Sequence, residues 1–485
     1  MLQTAKFNKR AFISLFILTL CAHQLLAKES RPPNIIIILT DDHGYADFSP
    51  YKNSSPDLKT PHLDALSKSG AVITQGYSTA PQCIPSRAAI VTSRYQNRFG
   101  LDGNYYAPMA LDEVTIAERL REQGYITGFV GKWHLEPNRN SRHWMKENWP
   151  EGLKQKNPRI PDKLKSPYLP MNRGYTEFYD GTMNAYLRNF DLEGRSVSPK
   201  RIVDKETFRV DKQTDAALAF LKRNSDKPFF LHLNYYAPHT PLEVVEKYFD
   251  RFPGNMAERR RWALASLAAI DDGVGAIMDS LRKNKIEENT IIFYFADNGA
   301  PLAIKMADLP FDKPGWDGSL NGDLVGEKGM ISEAGVRVPY LVYWKGTIPA
   351  QTYNKPLSTM DAGATALALA GIKTQKNELD GVNLMPYLTQ KDSSSPHEYL
   401  YWRFWGQSAI RTEKWKYFEL ENGVEMLFDM NAPLPERKNL IKQYPEVASH
   451  LQKKLSHWRD QQKRQGFVEK FGREAKWFQH YFKIK

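Results

Sequence analysis

Five short apolar runs punctuate the chain, at residues 35–39, 126–130, 229–234, 291–295 and 340–343. Each is rich in β-branched and aromatic residues, lacks helical spacing and ends abruptly in polar residues, as a strand buried on both faces does. Between and after them, residues 61–68, 115–123, 214–223, 261–283 and 361–370 carry helical periodicity. Strand and helix alternate, so the pattern predicts an α/β fold with a large, mostly parallel mixed sheet sandwiched by helices.

Two stretches interrupt this alternation. Residues 150–170 interleave Pro150, Pro158, Pro161, Pro167 and Pro170 with Lys154, Lys156, Arg159, Lys163 and Lys165, which predicts an exposed loop, either a solvated insertion or the basic rim of an anion-binding cleft. A Ser-rich polar stretch at 390–396 marks a second change. Beyond it, residues 399–404 and 414–418 read as strands, 446–463 has helical spacing, and the chain ends in an aromatic, basic tail. The expected organisation is a signal peptide at 1–27, a main domain at 28–390 and a smaller α+β subdomain at 391–485, an antiparallel sheet with a helix.

The signal peptide is read from Lys6, Lys9 and Arg10 ahead of an apolar run at 11–20, too short to cross a bilayer, with cleavage expected after Ala27. A lipid anchor on Cys21 ranks below cleavage, because Leu20 is large where a small residue is expected. Either route predicts an exported protein, periplasmic or secreted, and no later run is long and apolar enough to span a membrane. A formal charge of +12, from 67 Lys+Arg against 55 Asp+Glu, favours anionic partners or serves solubility; nucleic acid is not among the partners expected. Only Cys21 and Cys83 are present, and the first leaves with the signal peptide. The mature chain then keeps one thiol in an oxidising compartment, where it is either buried and inert or chemically employed.

Functional groups of open α/β sheets gather beyond the carboxyl ends of the strands. Here those positions hold Asp41 and Asp42, Lys132 and His134, His239, and Asp297 and Asn298. Asp41, Asp42, Asp297 and Asn298 offer only oxygen donors, which favours a hard cation such as Ca²⁺ over zinc. Three carboxylates crowded together would also repel one another without a cation. Around Cys83 the chain reads Pro81-Gln82-Cys83-Ile84-Pro85-Ser86-Arg87 and then turns apolar. Pro85 suits the first turn of a helix whose free N–H groups would face Cys83 and a bound anion, and Arg87 adds a guanidinium suited to oxyanions.

These residues carry a family resemblance. Cys83-Ile84-Pro85-Ser86-Arg87 resembles the cysteine-type motif of the type I, formylglycine-dependent sulfatases of the alkaline phosphatase superfamily, and Gly131-Lys132-Trp133-His134 resembles their second motif. Thr40-Asp41-Asp42, Ala237-Pro238-His239 and Ala296-Asp297-Asn298-Gly299 match in order and approximate spacing, over residues 34 to 388. Two positions depart from the pattern: Ser93 and Glu136 stand where Gly is common, which puts local loop shape in question.

The resemblance implies a sulfuric ester hydrolase in which a separate maturation enzyme oxidises Cys83 to formylglycine (3-oxoalanine). It implies one Ca²⁺ held by Asp41, Asp42, Asp297, Asn298 and the modified Cys83 side chain. A hydroxyl of the hydrated aldehyde would attack sulfur, and its partner hydroxyl would let the sulfated enzyme collapse and expel sulfate. Arg87 would fix the diol, and Lys132 and Lys328, the latter in Gly326-Glu327-Lys328-Gly329, would clamp the sulfate oxygens. His239 is assigned as the acid for the leaving oxygen and His134 as the base, with the reverse assignment open.

The expected substrate is a sulfated carbohydrate, an oligosaccharide of a sulfated polysaccharide such as ulvan or carrageenan. Aromatics at Trp144, Trp149, Trp316, Tyr186 and Trp402 are candidate sugar platforms. An arylsulfatase or glycosaminoglycan sulfatase is the alternative within the class. A phosphonate or phosphodiester hydrolase and a non-catalytic sulfated-glycan binder are the alternatives outside it.

Overall fold

The computed structural model describes residues 31–243, 245–302, 318–463 and 474–482. The expected signal peptide with Cys21, and Trp316, lie outside the described residues. In chain order the strands are β1 (Asn34–Asp41), β2 (Ala71–Ile73), β3 (Gly76–Tyr77), β4 (Ile126–Gly131), β5 (Glu177–Gly181), β6 (Ala185–Phe190), β7 (Ser196–Val203) and β8 (Phe229–Pro238). They continue as β9 (Thr290–Ala296), β10 (Tyr340–Tyr343), β11 (Gln351–Tyr353), β12 (Leu357–Ser358), β13 (Leu400–Phe404), β14 (Gln407–Arg411), β15 (Trp415–Leu420) and β16 (Glu425–Asp429).

Ten of them form one mixed sheet in the order β11-β2-β10-β9-β1-β8-β4-β5-β6-β7. The run β9-β1-β8-β4-β5 is parallel throughout. On its flanks β10, β2, β6 and β7 pair antiparallel with their inner neighbours. β1 shows why the sheet needs cover on both sides. Its successive side chains point to opposite faces, yet all eight residues are buried. Ile36 and Ile38 enter the core formed with the helices Arg209–Asn224 and Glu258–Lys283. Ile35, Ile37 and Leu39 enter the opposite core, beneath Cys83–Thr92, Ile116–Glu122 and Asp361–Leu369.

The parallel register aligns the strand ends. Thr40 lies opposite Ala296, Asp41 opposite Pro238, and Gly131 opposite Asn234. The residues just past β1, β4, β8 and β9 therefore leave the sheet along one edge.

The last four strands, β13 to β16, form an antiparallel sheet. Trp402, Phe404, Phe418 and Phe428 pack with Tyr77, Met330 and Val336, while Ile410, Tyr417 and Leu427 pack under the helix Pro445–Asp460. Lys416 on β15 is fully buried. Its ammonium lies 3.1 Å from Glu333 and 2.8 Å from Glu436, both also fully out of water. Glu333 further accepts a hydrogen bond of 2.8 Å from the Tyr77 hydroxyl.

Several expectations change in detail. The helix expected at 214–223 begins at Arg209, because its first turn buries Arg209, Lys212 and Gln213, polar residues that carry no apolar periodicity. Residues 150–170 are mostly exposed, as expected, but they fold into short helical turns at Pro150–Lys154, Asp162–Lys165 and Ser166–Tyr168. Tyr186 and Trp402 are core residues rather than sugar platforms: both are buried, and the Trp402 indole N–H donates to the Ser78 carbonyl at 2.8 Å. Ser93 ends the Cys83–Thr92 helix in the left-handed region, at φ 56°, which is why Gly suits the position. The serine compensates through its hydroxyl, which donates to the Met360 carbonyl at 2.9 Å.

Replacing Lys416 by Met should cost about 3–5 kcal/mol of stability in urea unfolding, because it takes the paired cation from buried Glu436 and leaves buried Glu333 only the more distant Arg337, at 3.4 Å. A loss below about 1 kcal/mol would show that a shared proton compensates them.

Candidate active site

Local backbone geometry aims the residues at the edge of the sheet. Asp42 turns out of β1 at φ 60°. β4 ends at Gly131, at φ 98°, where a Cβ would stand 1.9 Å from the Asn234 carbonyl oxygen; only glycine lets the chain turn here toward Lys132. The Lys132 N–H is pinned to that same carbonyl at 3.0 Å, and the Asp297 N–H to the Thr40 carbonyl at 3.0 Å. The loop carrying Lys328 is tied to the one before Cys83 by the Gly329 N–H, 2.9 Å from the Pro81 carbonyl.

Cys83 is the first residue of a ten-residue helix whose residues are all buried. Its sulfur lies 3.4 Å from an Asp41 carboxylate oxygen and 3.6 Å from the Lys328 ammonium. Burial, reinforced by the Asp41 charge, raises the pKa of the thiol and favours its protonated form.

The remaining expected residues interlock around it. Arg87 donates from Nε to Asp297 Oδ2 at 2.9 Å and from Nη1 to the Lys132 carbonyl at 2.8 Å, and its Nη2 lies 3.2 Å from Asp41. Lys132 pairs with Asp41. Lys328 pairs with Asp42 at 2.6 Å, and Asn298 donates to the same carboxylate at 2.7 Å. The Asp42 N–H donates to Asp297 Oδ1 at 3.2 Å. His239 Nε2 lies 3.6 Å from Asp42 Oδ2. His134 makes no direct contact with the carboxylates, but it lines one cavity together with Lys132 and His239.

Three carboxylates thus face three side-chain cations, which already answers much of the mutual repulsion. Burial would raise the Asp41 pKa, but Lys132, His239, Arg87 and Lys328 hold it well below its usual range. Asp297 differs: burial and the Asp41 charge push it up to about 6 despite Arg87 and Lys132. That carboxyl remains short of positive charge. Asn298 Oδ1 is buried without a hydrogen-bond partner. An all-oxygen donor set with an undercompensated carboxyl and an orphaned amide oxygen fits a hard divalent cation. Ligand atoms of Asp41, Asp42, Cys83 and His239 also lie within 4.8 Å of one another, so His239 borders the same position.

Sequence reasoning missed the support beneath these groups. The Tyr236 ring is stacked on His239, with centroids 4.8 Å apart, and carries the Lys132 ammonium at 4.9 Å and the Arg209 guanidinium at 4.8 Å. Arg209 also donates to the His239 carbonyl at 2.7 Å. Tyr236 sits three residues before His239, a proximity that the sequence does display. Arg209 is thirty residues from its partner and carries no local signal. The expected basic rim is represented by Lys165, which lines the cavity but is paired with Glu136 at 3.2 Å.

Comparison with known proteins places this geometry. The Sulfatase family model matches residues 33–372, and a model of the C-terminal part of N-sulphoglucosamine sulphohydrolase matches 325–461. Arylsulfatase A of Bos taurus is 30% identical over 478 residues, covering 90% of this chain and 88% of that protein. N-acetylgalactosamine-6-sulfatase of Homo sapiens is 31% identical over 377 residues, covering 74% of this chain and 66% of that protein. Among solved structures, Ps i-CgsB in complex with k-i-k-neocarrahexaose matches with a TM-score of 0.72 at 28% identity, over 93% of this chain and 97% of that one. With a family model spanning well over half its length and the strand-end groups assembled on one edge, the chain belongs to the sulfatase family of sulfuric ester hydrolases.

Proposed function

We propose that this chain is an exported sulfatase that removes sulfate from oligosaccharides of a sulfated polysaccharide, using formylglycine made from Cys83 by a maturation enzyme and one bound Ca²⁺. The observation that carries the reading is the position of Cys83, the first residue of a buried helix, between Asp41 and Lys328. Its thiol is held protonated, a poor state for a sulfur nucleophile and an acceptable one for a precursor. Formylglycine, as its hydrate, would supply an oxygen nucleophile and a built-in route for releasing sulfate. Ca²⁺, held by Asp41, Asp42, Asp297, Asn298 and the residue at 83, would supply Lewis acidity.

The chain's own residues do the rest. Arg87 is fixed by Asp297 and the Lys132 carbonyl, so its guanidinium is presented to position 83 without reorganising. Lys132 and Lys328 are buried, and although burial disfavours their charge, the adjacent Asp41 and Asp42 raise both pKa values and keep the lysines cationic. They bind the sulfate oxygens and offset charge that grows during bond cleavage. His239 Nδ1 faces the Thr240 carbonyl, which can only accept, so Nδ1 carries a proton and Nε2 is the atom free to exchange one with the leaving oxygen. Burial, against the pull of Asp42, holds this imidazole down to about 4, so it picks up its proton only as the anionic ester offsets the two lysines. Burial and the Lys132 charge keep His134 neutral, which suits it to the base role.

A carbohydrate substrate is supported by the complex of Ps i-CgsB with k-i-k-neocarrahexaose. A cavity of about 420 Å³ opens beside Lys132, His134 and His239, within the size range of small-molecule sites. Among the described residues no helix is long and apolar enough to cross a membrane.

The matured protein should release sulfate from a sulfate ester, and Cys83→Ala should not. Intact mass should show conversion of the Cys83 –CH₂SH to –CHO. Equal turnover by the alanine variant would end the reading. Elemental analysis should find about one Ca²⁺ per chain, with loss in Asp42→Asn; stoichiometric zinc would favour phosphoryl-transfer chemistry instead. Lys132→Met should lower kcat by about 10²–10³, the scale for removing one preorganised charge-stabilising donor, in steady-state sulfate release.

A further inference from the structure

The cavity beside the lysine and histidine groups has a second wall that the reaction itself does not use. Glu136 and Asp180 lie there, with Lys165 and Arg201 next to them. Asp180 reaches this wall through strand register: on β5 it pairs with Gly131, the last residue of β4, so it stands beside the segment that delivers Lys132, His134 and Glu136. Lys165 sits 3.2 Å from one Glu136 oxygen. The other Glu136 oxygen, Oε2, is buried without a partner, although it lies in a cavity wall rather than in a packed core. An unpaired buried carboxylate oxygen is costly unless something else completes its hydrogen bonds.

We propose that Glu136 and Asp180 are the specificity-determining pair of this enzyme and recognise a free hydroxyl on the sugar ring that bears the scissile sulfate. The assignment rests on the sulfatase reading above and deepens it. A sugar hydroxyl is both donor and acceptor, and this wall offers both complements. Glu136 Oε2 accepts the hydroxyl proton. Burial and the Glu136 charge push the Asp180 carboxyl up to about 8, so it carries a proton at neutral pH and can donate to the hydroxyl oxygen. Lys165 holds Glu136 in place, and the pairing of β5 with β4 at Gly131 fixes the position of Asp180. An ester without that hydroxyl leaves the half-buried pair without its partner, and sites built for a hydroxyl discriminate strongly against analogues that lack it. The departure of Glu136 from the family pattern thereby gains a function.

The test compares kcat/KM of the matured wild type, Glu136→Gln and Asp180→Leu on monosulfated methyl hexopyranosides, on the same esters with their hydroxyls O-methylated, and on 4-nitrophenyl sulfate. The wild type should prefer the free-hydroxyl ester over its O-methylated partner by at least about tenfold, and each variant should lose most of that preference. The substitutions are nearly isosteric, and a thermal melt confirms that each variant is folded. A preference within about twofold of wild type in both folded variants overturns the proposal. So does a parallel loss on both esters, or wild-type turnover of the aryl ester alone. Absence of sulfate release by the wild type from every probe strikes the sulfatase reading itself and takes this inference with it.

Discussion

The ion pair between Arg87 and Asp297, shared with Asp41, is the constraint on which the site depends. All three side chains are out of water, and a buried charge that loses its partner is far more destabilising than a pair is stabilising. Arg87 belongs to the Cys83–Thr92 helix, Asp41 to β1, and Asp297 to the turn after β9. Satisfying one guanidinium therefore holds the helix start and two central strands in a single arrangement. Lys132 adds β4 to the set through Asp41, and Lys328 adds its loop through Asp42.

This arrangement explains the environment of position 83. Pro85 has no N–H, and the Ile84 and Ser86 N–H groups are taken by Asn104 Oδ1 and the Gln82 carbonyl, so this helix start offers an anion the field of the helix rather than a set of free donors. Here it meets carboxylates that would repel an anion and lysines that attract one. Burial and the Asp41 charge push the Asp297 carboxyl up even though Arg87 is paired with it, so a cation beside it would favour its charged form. Tyr236 works one layer further out. Its ring, stacked on His239 and capped by Lys132 and Arg209, holds an imidazole and two cations of the site in fixed relation.

Much of the fold was legible because β1, β4, β8, β9 and β10 are covered on both faces and so are almost continuously apolar. β5, β6 and β7 escaped notice for the opposite reason. β7 is mostly exposed, so no run of apolar residues marks it. Asp180, which sits on β5, was hidden with them. The start of the Arg209–Asn224 helix was missed because its inward positions are mostly polar: Arg209 bonds the His239 carbonyl, and Gln213 accepts from the Tyr236 N–H, with Val210 the one apolar core residue among the first five. The aromatic count misled at Tyr186 and Trp402, since large rings are as apt to fill a core as to cover a sugar.

The sequence by itself determined the alternation of buried strands and helices, and with it the edge to which Asp41, Asp42, Lys132, His134, His239, Asp297 and Asn298 are delivered. Both are local properties, set by the hydrophobic period and by the few residues just past the end of each strand. It also singled out Cys83 and Arg87, whose neighbours within five residues carry the motif. Only the tertiary structure decided how these charges are paired, that Tyr236 and Arg209 support them, and that Glu136, paired with Lys165, lines one cavity with Asp180. Those contacts join residues far apart in the chain. They arise from parallel register and from the requirement that every buried charge find a partner, neither of which leaves a periodic mark in the sequence.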